Sequence, residues 1–145
     1  MIEHKLLELL RSYITENNPD LLLQLEGKLA VTSYLQDKMK AVQPYLDKLI
    51  AEGKPIHIIE ELCLNEMTAD LKPSRFNLIK EVLETEFLQS YERFRSLGVL
   101  RYELVNMVHY CEPVFTAMGF TEDRIEQRTL RYDLTGAISE YLEKG

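Results

Sequence analysis

Residues 31–50 read VTSYLQDKMKAVQPYLDKLI, and their apolar side chains recur with the spacing of an α-helix. Positions three and four apart lie on one face of a helix, so this spacing predicts an amphipathic helix with one buried stripe. The stripe comprises Val31, Leu35, Met39, Val42, Leu46, Leu49 and Ile50. It stays in phase across Pro44, which predicts either a kinked helix or two nearly collinear helices. The helix is expected to begin near Lys28 and to end at Gly53.

The same spacing recurs along the rest of the chain, between glycine, proline and asparagine residues. It predicts long helices at about 2–16, 55–70, 74–98, 99–110 and 129–143, and short ones near 19–25 and 113–119. Ser74 is expected to cap the helix at 74–98, and Thr121 to cap a further short turn. No segment reads as a strand, and no internal repeat or linker is evident. The predicted fold is therefore all-α, a single-domain bundle of about six to eight helices over residues 1–145.

The composition is that of an ordinary globular protein. The chain has 145 residues, of which 46% are hydrophobic and 28% charged, and such a length needs no disulfide or metal to hold a core together. No apolar run approaches the roughly 20 residues that cross a bilayer, and the charged start lacks a secretory signal. Cys63 and Cys111 lack metal-type spacing, which favours reduced thiols. We therefore expect a cytoplasmic protein with no membrane association and no cofactor.

The net charge of −7 argues against direct nucleic-acid binding, because domains that bind nucleic acids usually carry a basic excess. One segment departs from the acidic average: arginines and aromatic residues alternate around Gly98. Such a pattern can grip phosphates and stack on bases. The alternative, which the overall charge favours, is that the aromatic side chains lie in the core and the arginines pair with acidic neighbours. The residues concerned are Tyr91, Arg93, Phe94, Arg95, Arg101 and Tyr102.

Carboxylates with helical spacing are the candidate metal ligands. His57 precedes Glu60 and Glu61 by one turn, with Glu66 further along the same predicted helix. Residues three or four apart leave one face of a helix and can share a metal. A second group, Glu81 and Glu84, resembles the Glu-x-x-Glu motifs that hold magnesium against phosphates. The alternative is a solvated helix surface in both places.

Two further features have competing explanations. His109, Cys111 and Glu112 are interpreted either as a thiol activated by a neighbouring imidazole, or as a metal corner. The alternative is that Cys111 packs as a small apolar residue, His109 is partly buried, and Glu112 caps or pairs locally. Gly136 lies inside the last predicted helix, where glycine costs about 1 kcal/mol relative to alanine. Beside Ala137 it leaves a small surface that another helix can approach closely, which is an explanation by packing.

Several segments together resemble a family of small helical proteins from Bacteroidetes, catalogued as domain of unknown function 1896. The most specific are Cys111-Glu112-Pro113-Val114-Phe115 and Leu134-Thr135-Gly136-Ala137-Ile138, and the resemblance covers nearly the whole chain. It implies a setting on conjugative and other mobile elements. It implies no activity, cofactor or catalytic residue.

Three functions follow as hypotheses. The first is a non-enzymatic interaction or adaptor module that binds another protein or itself, in the mobile-element setting that the resemblance implies. The second is a metal-dependent hydrolase of a phosphorylated small molecule, with Glu60, Glu61, Glu66, Glu81 and Glu84 as ligands. The third is a nucleic-acid-linked accessory protein, suggested by the resemblance. The complete helical patterning favours the first and argues against an enzyme.

Overall fold

The computed structural model of the protein describes residues 1–120 and 128–144. It confirms the all-α fold, because every regular element in those residues is a helix. They contain nine α-helices and one turn of 3₁₀ helix, rather more than the six to eight predicted. The α-helices are α1 Ile2–Asn17, α2 Pro19–Gly27, α3 Val31–Ala51, α4 Ile56–Met67, α5 Arg75–Glu86, α6 Leu88–Ser96, α7 Leu100–Tyr110, α8 Glu112–Met118 and α9 Arg128–Lys144, and the 3₁₀ turn is Ala69–Leu71.

The chain divides into two compact units, Met1–Lys72 and Pro73–Gly145, and each has its own cluster of buried apolar side chains. The prediction of one domain over residues 1–145 stays a prediction. The turn expected to begin at Thr121 lies outside the described residues. Within the described part of the chain, no helix is both long enough and apolar enough to span a membrane.

The first unit is built on α1, α3 and α4, which pack against one another, with α2 against α1 and α3. Each of the three helices contributes most of the apolar stripe that its spacing predicts, although Ile50, at the end of the α3 stripe, is 50% exposed. The buried side chains are Leu6, Leu10, Ile14, Met39, Val42, Leu46, Leu49, Ile59, Cys63 and Met67. Helix α3 continues through Pro44, which lies on the exposed side. The backbone hydrogen bond that proline cannot donate is therefore lost where water can compensate.

In the second unit α5, α7 and α9 pack together, α6 packs on α5 and α7, and α8 on α7 and α9. The core includes Ile79, Leu83, Val108, Cys111, Phe115, Leu130, Leu134 and Ile138. Ser74 caps α5 as predicted, since its hydroxyl accepts a 3.0 Å hydrogen bond from the backbone N–H of Asn77.

The prediction of one helix over 74–98 is wrong, because the chain breaks at Phe87 between α5 and α6. Phe87 leaves the helical conformation (φ −137°, ψ 52°), although its N–H still donates to the carbonyl of Leu83. Neither glycine nor proline stands at the break, so the residue types usually taken as helix breakers gave no signal there.

The backbone contains an internal repeat that the sequence does not reveal. Phe87 has the dihedral angles of Asn18, which stands 69 residues earlier between α1 and α2. In both units a nine-residue helix follows, then three residues whose middle one is left-handed, Leu29 or Gly98. The hydrogen bonds correspond as well: Ala30 donates to Leu25, and Val99 donates to Phe94.

The repeat extends to the cores. At the same separation of 69 residues, the buried Val42 of α3 corresponds to Cys111, just before α8, and the buried Leu46 of α3 corresponds to Phe115, within α8. Pro44 corresponds to Pro113 in the same way. Helices α4 and α9 match through buried triads with equal spacing, namely Ile59, Cys63 and Met67 against Leu130, Leu134 and Ile138. The units are therefore two versions of one helical module, with α7 and α8 together standing where α3 does.

Candidate functional site

The predicted metal ligands are placed on two helices. His57, Glu60, Glu61 and Glu66 lie on α4, and all but the half-buried Glu60 are exposed. Glu81 and Glu84 are exposed on α5, in the other unit. Among the side chains that the structure describes, no three from histidine, cysteine, aspartate and glutamate form a group that could hold a metal ion.

Glu81 takes part in an ion pair. The guanidinium of Arg131 on α9 donates to the Glu81 carboxylate at 3.2 Å and to the Thr85 hydroxyl at 2.6 Å, and it lies 3.8 Å from Glu86. These contacts join the C-terminal half of α5 to the start of α9. Glu84 interacts with Tyr91 instead. Burial, followed by the negative charge of the Glu84 carboxylate, raises the pKa of the Tyr91 hydroxyl. The two carboxylates of the Glu-x-x-Glu pattern therefore serve different neighbours within the second unit.

The structure confirms the expected burial of Cys111 in the cysteine cluster, because this residue is fully buried in the second core. The expectation of a partly buried His109 is wrong, since His109 is exposed, as is Glu112. Burial raises the pKa of the Cys111 thiol to about 12, which opposes formation of the thiolate that a nucleophile requires. The Cys63 thiol is also buried in its own unit, and burial raises its pKa.

Two of the three aromatic residues around Gly98 belong to the core, whereas the three arginines are exposed. Tyr91 and Phe94 are buried in the second core, as the core interpretation predicts. The Arg93 guanidinium lies 5.1 Å from the centre of the Phe94 ring. Tyr102 on α7 differs from them, since 67% of it is exposed. The aromatic side chains here therefore do not form the continuous stacking surface that single-stranded nucleic acid requires.

The outer face of α9 is the most distinctive surface of the second unit. Tyr132 is 78% exposed and stands between two grooves. One groove, about 650 Å³, is lined by Glu86, Arg128, Thr129, Arg131 and Thr135. The other, about 520 Å³, runs between α8 and α9 and is lined by Pro113, Val114, Ala117, Met118, Gly136 and Ala137, with Asp133 and Glu140 at its acidic side. We call the second one the α8–α9 groove.

Gly136 is exposed and lines this groove. A methyl group placed on its Cα would meet no atom within 4 Å apart from its chain neighbours and the backbone of its own helix. Packing among the described residues of the second unit therefore does not require glycine here, so none of the helices described in this unit makes the close approach suggested by the sequence. Sequence analysis singled out Gly136 but missed Tyr132, although a tyrosine one turn before the glycine on the same face was the available signal.

A polar cluster near the C-terminal end of α9 contacts α7. The Tyr141 hydroxyl donates a 2.6 Å hydrogen bond to Glu103 of α7, and Lys144 donates a 3.0 Å bond to the Tyr110 hydroxyl. The rings of Tyr110 and Tyr141 meet edge to face with centres 5.6 Å apart. Burial, followed by the effect of Glu103, raises the pKa of Tyr141 to about 12. These bonds are made within the unit, and the cluster fixes α9 against α7.

Comparison with models of known protein families, with curated proteins and with solved structures gave no match. The resemblance to domain of unknown function 1896 therefore stays a prediction from the residues that suggested it.

Proposed function

We propose that the chain is a non-enzymatic helical interaction module whose contact surface is the outer face of α9. The observation that carries this proposal is the exposed Tyr132 beside a groove that is lined by an unobstructed glycine. Tyrosine and arginine are among the residues enriched at the centres of protein interfaces. Both are present on this face, in Tyr132 and Arg128.

The glycine supports the proposal energetically. Gly136 costs about 1 kcal/mol of helix stability relative to alanine. No contact among the described residues of the second unit requires glycine at this position, because the space beside it is open. Glycine on a helix surface lets another backbone approach more closely than any side chain allows. A protein helix that crosses α9 at Gly136 would use the space that the glycine leaves.

The chemistry of the polar residues supports a binding role over a catalytic one. The candidate carboxylate Glu81 is engaged by Arg131 at 3.2 Å, and the Cys111 thiol is buried with a raised pKa. Two unpaired, buried cysteines suit a reducing compartment, which supports the cytoplasmic location. An association with mobile elements is also part of the proposal, and its only support is the family resemblance.

The test is a photo-reactive amino acid placed at position 132 and, in a matched control, at position 102. Both tyrosines are exposed and lie in the same unit. We expect illumination of cells that produce the full chain to yield a protein adduct from position 132 and none from position 102. Absence of any protein adduct from position 132, or equal yields from the two positions, would contradict the proposed function.

A further inference from the structure

We draw no further inference here: the strongest candidate, the exposed face of α9 around Tyr132 with the α8–α9 groove beside it, belongs to the site already described, and nothing in the described part of the chain shows what covers it.

Discussion

Leu29 and Gly98 occupy equivalent positions in the two units, and both have a left-handed backbone, with φ of 54° and 74°. Glycine adopts this conformation readily, whereas other residues are strained in it by about 1–2 kcal/mol. Leu29 has no compensating burial, since 93% of its surface is exposed. The first unit therefore holds a strained leucine where the second unit holds the residue suited to the turn.

The first prediction is that Leu29→Gly stabilises the protein by about 0.5–1 kcal/mol, because relief of strain exceeds the greater flexibility of glycine in the unfolded chain. Gly98→Leu should destabilise it by about 1 kcal/mol for the converse reason. Urea denaturation measures both. Equal stability of wild type and Leu29→Gly would show that the leucine is not strained.

The second prediction concerns the cap of α5. Ser74→Ala removes the hydroxyl that accepts from Asn77, and loss of such a cap costs about 1 kcal/mol. Ser12→Ala, at an exposed position inside α1, is the matched control and should change the free energy of unfolding by less than about 0.5 kcal/mol. Equal effects at the two serines would remove the capping role.

The third prediction is that the free energy of unfolding decreases at alkaline pH and that Tyr141 contributes to this decrease. The pKa of its hydroxyl rises from 10.0 to about 12 in the folded chain. Its contribution to stability is therefore complete below pH 10, and it is lost as the pH rises from there towards 12. Tyr141→Phe should lower stability at neutral pH by removing the bond to Glu103, and its stability should decline less steeply than that of wild type in this window. Parallel declines in the two proteins would contradict the assignment.

The fourth prediction is that Cys111 resists alkylation in the native protein. The thiol is fully buried and burial raises its pKa to about 12, so little thiolate exists for a reagent to meet at neutral pH. Iodoacetamide followed by mass spectrometry should find Cys111 unmodified in buffer and modified in denaturant. Rapid native modification at Cys111, at a rate above that of a free cysteine peptide, would revive the nucleophile hypothesis.

Apolar spacing was sufficient to predict most of the helices and most of the buried positions. Four residues of the α3 stripe, Met39, Val42, Leu46 and Leu49, and the triad of α9 are buried as their periodicity indicates, because a helix must bury its apolar side to be stable. Ile50, at the end of the α3 stripe, is 50% exposed instead. The break at Phe87 could not be predicted in this way. It equals the break at Asn18 in geometry, but Pro19 marks only the earlier one.

The candidate site was harder to predict, because the features that distinguish it depend on which side chains the folded chain brings next to each other. Gly136 was noticed in the sequence, but only the structure shows that the space beside it is open. Likewise the spacing of Glu81 and Glu84 indicates a shared helix face, yet Arg131, fifty positions after Glu81, engages one of the two. Sequence patterns over one turn do not report on partners that the tertiary fold supplies.

The division of the chain into two units with separate cores affects how the protein emerges during synthesis. The first core is complete within residues 1–72. Its apolar residues can therefore be covered while the ribosome is still translating the second half, and chains that form contacts over short sequence distances fold rapidly. The growing chain would then expose fewer apolar side chains to aggregation than a chain of equal length whose single core is completed only by its last helix.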